Sequence, residues 1–268
     1  MRSTAGRTSR CVEPHRSGPA RAGVTVLWEH VEGTTRYSVR SHGASVRLYS
    51  NGVFHSQWNP DRPFAGGVWD CLSLPVLYRD PAQIARVALL GVGGGAVLRQ
   101  LSHLLPEAGC LGVEIDPVHV RIATQWFGVD ALQVRQDDAI GWLETREDAA
   151  FDVIVDDLFG HEHGEPVRAA ALEFGWVDTL VRTLDRQGVL IVNAVTSREL
   201  KRAAPVFADA GLRHGSRWTL PGYENAIGVL SREPLHSRDW SRRLESAALS
   251  AADRRQARCC RVQPLRGL

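Results

Sequence analysis

The stretch from Val87 to Asp116, VALLGVGGGAVLRQLSHLLPEAGCLGVEID, constrains this chain more than any other part of it. An apolar run enters a turn carrying Gly91, Gly93, Gly94 and Gly95, a helix-like segment follows, and a second apolar run closes on Glu114 and Asp116. That order predicts a strand, a tight turn, a crossover helix and a parallel strand. Glycine at the turn lets the backbone approach a ligand where a Cβ would collide. A unit of this kind binds a nucleoside.

The spacing leaves two nucleosides open. Gly91, Gly93 and Ala96 satisfy G-x-G-x-x-A with Glu114 about 20 residues on, the pattern of a dinucleotide site. The same arrangement serves S-adenosyl ligands, whose amino-acid part passes the glycine turn while the terminal acid accepts both ribose hydroxyls. The rest of the chain has to decide.

With 268 residues, 44% of them hydrophobic, the chain can bury one sizeable core and carry a second small domain. No apolar run reaches the roughly 18 residues that cross a bilayer, so a soluble protein without a membrane partner is expected. Residues 1–22 carry a net +4 and residues 236–268 a net +5, which leaves −7 on residues 23–235 within an overall +2. An acidic body does not favour nucleic acid, which needs clustered Lys and Arg, and it suits a cationic small molecule. Residues 1–22 read as a disordered basic tail, and residues 236–268 as a basic tail, partly helical or disordered. The five cysteines show no C-x-x-C pair, so neither a disulfide framework nor a zinc site is indicated, and a reducing cytoplasm is expected.

Residues 23–60 alternate apolar and polar positions between turn signals at Glu32-Gly33, His42-Gly43 and Asn51-Gly52, which predicts a small N-terminal β-hairpin domain. Residues 61–235 form the nucleoside-binding domain. Val68 to Tyr78 supplies a helix. Then follow strand 86–91, helix 94–105, strand 110–115, helix 117–127, strand 131–135, a helix near 138–146, strand 152–156, a long helix 166–184, strand 188–193 and helix 198–210. Strands alternating with helices require a parallel sheet covered on both faces. RHGSRWTL and ENAIGVLS around Pro221-Gly222 read as a closing hairpin, so the sheet ends antiparallel and lacks the second nucleotide-binding half of a dinucleotide enzyme.

LYSNGVFHSQW, GVGGGAVLRQL, GVEIDPVHV, RQDDAIGWL and FDVIVDDLFG stand in the order and at the spacing of L-x-x-G-V-x-Q, G-G-G-x-x, V-E-I-D, G-D-[AG] and Y-D-V-I-x-x-D. Over about residues 45–230 the chain thus resembles the spermidine synthase-like (polyamine aminopropyltransferase) family. The resemblance implies an α/β Rossmann-like S-adenosylmethionine-dependent methyltransferase fold, with a mostly parallel seven-stranded sheet, an antiparallel terminal hairpin and the small β-hairpin domain in front. It also implies a transferase that uses S-adenosylmethionine or its decarboxylated form as donor and no metal. An aminopropyl or methyl group would pass to a small amine-bearing acceptor, in a protein that can form a homodimer.

Carried over residue by residue, the resemblance places Gly91, Gly93, Gly94 and Gly95 around the amino-acid end of the nucleoside and Glu114 on the ribose diol. Asp138, or Asp137 where the family has Gly, would take the adenine amino group, and the alternative for Asp138 is a helix cap. Asp156, ending the fourth strand, is expected to hold the amine and take its proton. His55, Gln57, Asp157 and His161 are the candidate acceptor contacts. Departures matter too. Counting from Asp156, the D-[SA]-[ST]-D motif has Phe159 at its last position, the family's Tyr falls near Gly67, its loop Gln near His55 and its G-G-G-D acid near Ala96. These losses argue against putrescine as acceptor and leave the donor form open. In His161-Glu162-His163 a gating loop is a better expectation than a metal site. A catalytically silent nucleoside sensor and an NAD-dependent oxidoreductase are the alternatives.

Overall fold

The computed structural model describes residues 23–162 and 165–268, with the side chains of residues 161–166 outside the description. The expected tail at 1–22 lies outside the described residues. Four antiparallel strands, β1 (Val24–Glu32), β2 (Thr35–His42), β3 (Ser45–Ser50) and β4 (Val53–Trp58), pair in sequence order into the N-terminal sheet. Its hairpins turn at the predicted dipeptides. Gly33, Gly43, Asn51 and Gly52 all have positive φ, the conformation that two-residue hairpin turns require.

After helix α1 (Val68–Ser73) and a 3-10 stretch Leu74–Tyr78, the main sheet is built. The elements are β5 (Arg86–Leu90), α2 (Ala96–Leu104), β6 (Gly109–Glu114), α3 (Pro117–Gln125), β7 (Val134–Gln136), α4 (Ala139–Glu144) and β8 (Phe151–Asp156). A short hairpin of β9 (Phe159–Glu162) and β10 (Glu165–Arg168) precedes α5 (Phe174–Thr183), β11 (Leu184–Ala194), α6 (Ser197–Asp209), β12 (His214–Thr219) and β13 (Ala226–Ser231). The long helix expected over 166–184 therefore begins eight residues later, at Phe174, because Glu165–Arg168 pairs with β9 instead. The helix expected over 68–78 likewise tightens into a 3-10 turn at Leu74-Pro75, where proline supplies no backbone N–H.

Strand order is β12-β13-β11-β8-β5-β6-β7, with β7, β6, β5, β8 and β11 parallel and β13 antiparallel to β11. The predicted seven strands and closing hairpin are all present, and an eighth strand is added. Residues read as a basic, partly helical or disordered tail form α7 (Ser237–Ser246), α8 (Ala251–Ala257) and β14 (Arg261–Pro264), which pairs antiparallel with β12. Arginines that looked like solvated charges are used structurally. Arg243 donates to the carbonyls of Leu77 and Tyr78, and Arg254 to those of Ala247 and Leu249.

Two apolar layers sandwich the sheet. Val87, Leu89, Val153, Val155, Val189 and Ile191 pack toward α1, α2, α3 and the C-terminal helices. Ala88, Leu90, Ile154, Leu190 and Val192 pack toward α4, α5 and α6. This alternation along each strand decides which side chains reach which face.

The C-terminal segment is anchored by Trp240, whose ring meets Trp218 edge-on at 5.3 Å and whose Nε1 donates to the Leu74 carbonyl at 3.0 Å. Trp240→Ala removes that packing and strands the carbonyl. Chemical denaturation is expected to show a loss of about 3 kcal/mol, and a loss within error of zero would mean the segment does not support the domain.

Candidate active site

The chain runs β5-β6-β7 to one side of β5 and β8-β11 to the other, so the sheet has a topological switch between β5 and β8. Ligands in open α/β sheets bind outside the carboxyl ends of the strands at such a point. At this edge stand Gly91 after β5, Glu114 closing β6, Asp156 and Asp157 at the end of β8, and Asn193 near the end of β11.

Glu114 is 7% exposed and belongs to the turn as much as to its strand. Its Oε2 accepts the N–H groups of Val92 (2.9 Å) and Gly93 (2.8 Å), and Oε1 accepts that of Asp116 (3.0 Å). Burial alone would raise its pKa. The His119 imidazole 3.9 Å from Oε1, with the N–H groups of Asp116 and Gly93, outweighs burial and holds the carboxyl below the usual range. Each oxygen still has lone-pair capacity for a hydroxyl.

The glycine turn is shaped by its own chain and by open space. A Cβ on Gly91 would meet the Asp157 carbonyl oxygen at 2.4 Å, and one on Gly94 or Gly95 would strike Ser56 and Phe127, or Val129, at 2.5–2.8 Å. Gly93 differs. At φ +54° its Cβ direction is open, with only the His55 carbonyl oxygen 4.0 Å away.

Asp156 and Asp157 part company. Asp156 follows the parity of Ile154 onto the α5 face, is fully buried, and is bonded by Arg168 Nη2 (2.6 Å) and Trp176 Nε1 (2.9 Å). Arg168, its own side chain 3% exposed, also donates to the Asn193 carbonyl, tying the β9–β10 hairpin to two core strands. Sequence reading expects Asp156 to meet the amine; in the structure its carboxylate is occupied by a buried guanidinium. Asp157 continues the line of Val153 and Val155. Its backbone N–H bonds the Leu90 carbonyl, its Oδ1 accepts from Asn193 Nδ2 at 2.7 Å, and Asn193 Oδ1 in turn accepts from Asn225 at 3.0 Å. Burial pushes the Asp157 carboxyl up to about 7, with Asn193 and Arg168 opposing and the charges of Asp156 and Glu114 adding.

The signal for this was in the sequence. Counted from Phe151, the last position of Y-D-V-I-x-x-D falls on Asp157, and the fourth position of D-[SA]-[ST]-D then falls on Gly160.

The remaining expectations divide. Asp138 caps α4, accepting the N–H of Ile140 at 3.1 Å, and Asp137 pairs with Arg135 at 2.8 Å while its own N–H bonds the Glu114 carbonyl. Asp116 caps α3 and accepts the Tyr37 hydroxyl at 2.7 Å. His55 on β4 lies 5.8 Å ring to ring from His119, whereas Gln57 is engaged by Arg47 at 2.7 Å. His161 belongs to β9, and its side chain, with the rest of the expected gate, lies outside the described residues. His119 itself was missed. It sits within the first turns of α3 against Glu114, Asp116, Ser50 (3.1 Å) and the edge of Tyr37, and docks the N-terminal sheet onto the glycine turn. Its pKa would fall on burial, yet Glu114 and Asp116 raise it. Asn193 was missed as well, though a polar residue near the end of the apolar run VLIVN was a legible signal. Among the described residues no three His, Cys, Asp or Glu side chains group as a metal ion would need, and no helix is long and apolar enough to cross a membrane.

No family model matches the chain. A probable polyamine aminopropyl transferase of Bifidobacterium longum (strain NCC 2705) is 33% identical over 136 residues, covering 50% of this chain and 29% of that protein. The chain thus spans under a third of that relative's length. A crystal structure of a probable spermidine synthase from Corynebacterium glutamicum ATCC 13032 matches with a TM-score of 0.72 over 90% of this chain and 91% of that one, at 17% identity. Human methyltransferase-like protein 13, in complex with SAH, matches with a TM-score of 0.50 over 70% of this chain and 88% of that one, at 25% identity. The fold is that of the S-adenosylmethionine-dependent methyltransferases. Within that fold its likeness is to spermidine synthases, and the β-hairpin sheet stands in front.

Asp157 and the fully enclosed Asp70, which bonds Gly66 N–H and Gln100 and is likewise pushed by burial to about 7, both hold a proton more tightly folded than unfolded. What they contribute is complete below about pH 4 and is lost as pH rises toward and past 7. Asp157→Asn keeps the acceptor oxygen for Asn193 and is expected to raise the melting temperature at alkaline pH but not at about pH 4. An equal shift at both would contradict this electrostatic reading.

Proposed function

We propose that this protein is a transferase that binds S-adenosylmethionine or its decarboxylated form and passes an aminopropyl or methyl group to a small amine-bearing acceptor. The reading rests on one observation: at the carboxyl ends of β6 and β8, the Glu114 carboxylate accepts from Val92 and Gly93 of the glycine turn, and the Asp157 carbonyl lies 2.4 Å from where a Cβ on Gly91 would stand. The relatives named above, an aminopropyl transferase and a methyltransferase-like protein holding SAH, support the same ligand class.

Glu114 grips the ribose diol through the lone pairs left after its backbone bonds, and the edge of Asp137 and Asp138 faces the adenine. The open side of Gly93, beneath His55, receives the amino-acid end. Asp157 holds the acceptor. An amine is mostly protonated at neutral pH, and a carboxylate titrating near 7 both attracts the cation and takes its proton. The freed nitrogen pair attacks the carbon beside the sulfonium, the carbon–sulfur bond breaks, and its electrons stay on the neutral thioether. Asn193 and Asn225 fix the Asp157 carboxylate, so most of the rate gain comes from alignment of nitrogen, carbon and sulfur. His55 and the β9–β10 hairpin carrying His161 border the acceptor side, while the Arg47–Gln57 pair helps shape it. Asp156 acts through structure alone.

Glu114→Ala is expected to weaken binding of S-adenosylmethionine and its decarboxylated form by about 10- to 100-fold in calorimetric titration. Asp157→Asn leaves that binding intact and lowers transfer to a polyamine panel by about 10²- to 10⁴-fold, with product mass separating methyl from aminopropyl transfer. In the wild type the rate rises as pH passes through about 7. Binding without turnover for any acceptor would favour the sensor, and tight binding of NAD alone would remove the proposal.

A further inference from the structure

The proposed chemistry uses none of the thiols, yet two of them meet across the fold. Cys71, in α1 and 1% exposed, has its Sγ 3.0 Å from the Sγ of Cys260, a partly exposed residue just ahead of β14 and 189 positions away in sequence. That distance is inside van der Waals contact for two sulfur atoms.

Separately anchored elements bring them together. α7 is fixed to the 3-10 stretch through Trp240 and Arg243. α8 lays Gln256 over Gly66, where a Cβ would meet its Nε2 at 2.3 Å. β14 then pairs with β12 from Arg261 onward. The other described thiols are placed differently. Cys259 turns its Sγ back to the Arg255 carbonyl at 3.7 Å, and Cys110 is buried in β6 with its pKa pushed up to about 11, a protonated and unreactive thiol.

We propose that Cys71 and Cys260 are a reversible redox pair whose disulfide staples the α7–α8–β14 segment to α1. Glutathione disulfide can serve as oxidant. The accessible Cys260, as thiolate, attacks one of its sulfurs and displaces one glutathione. Cys71 then attacks the mixed disulfide and releases the second, so two protein thiols are oxidised while one glutathione disulfide is reduced to two thiols. The link joins residues 189 positions apart into one loop, which restricts the unfolded state far more than the folded one. It also fixes the helix whose Asp70 holds Gly66 and reaches Gln100 of α2, the helix that starts at the glycine turn.

The full chain, incubated natively with glutathione disulfide and mapped by mass spectrometry without reduction, tests this. A Cys71–Cys260 peptide lacking two hydrogens is expected, together with a melting temperature raised by about 5–10 °C and restored by dithiothreitol. Cys259→Ser is expected to behave as wild type. Cys71→Ser and Cys260→Ser are expected to lose both the link and the shift. The wild-type map needs no variant to fold. A link through Cys259, glutathione adducts alone, or a Cys71–Cys260 link without a melting shift would each overturn the proposal.

Discussion

The carboxylate of Glu114 clasped by the backbone of its neighbouring turn is the interaction on which the rest depends. Three N–H groups, from Val92, Gly93 and Asp116, converge on it. The bonds bind the end of β6 to the turn after β5 and set the width of the crevice between them. They also place a buried negative charge where His119, Tyr37 and Ser50 can gather, so the N-terminal sheet docks at the carboxyl edge of β5 and β6. A carboxylate in that position is costly to bury unless it is saturated with donors. Here most of the donors belong to the backbone, which makes the arrangement rigid before any ligand arrives.

Across Gly91, Asp156 closing β8 and Asp157 just after it show how strand geometry sorts side chains by face. One residue's difference in register sends Asp156 into the layer of Trp176 and Arg168 and Asp157 into the crevice. The buried pair of Asp156 and Arg168 holds the β9–β10 hairpin against the carboxyl ends of two strands. Removing one partner of such a pair typically costs about 3–5 kcal/mol, because an uncompensated charge remains. Two adjacent carboxylates thus have wholly different partners and are told apart only by face.

Much of this was legible in the sequence. The glycine turn, the alternation of strands and helices, the N-terminal hairpins and the antiparallel finish all follow from local patterns, and each is present. Local pattern fell short where tertiary contact decides. Arginines of the C-terminal segment read as solvated charge, but the guanidinium groups of Arg243 and Arg254 bond carbonyls at the end of the 3-10 stretch and between the C-terminal helices. Glu165–Arg168 has no strong strand signal and is held extended by pairing with β9 and by the partners of Arg168. His119 carries no motif, and only its proximity to Glu114 gives it meaning. The motif counted from Phe151 and strand alternation from Val153 both lead to Asp157, whereas the enclosure of Asp156 by Arg168 and Trp176 is a tertiary contact that no local pattern carries.

A crystal structure of the protein soaked with S-adenosylmethionine tests the central claim most directly. Expected is a ribose whose two hydroxyls reach the Glu114 carboxylate, with the sulfonium beside the glycine turn on the side open to Asp157. Density for the nucleoside at any other edge of the sheet, or a Glu114 that keeps only its backbone partners while the ligand is bound, would contradict the account.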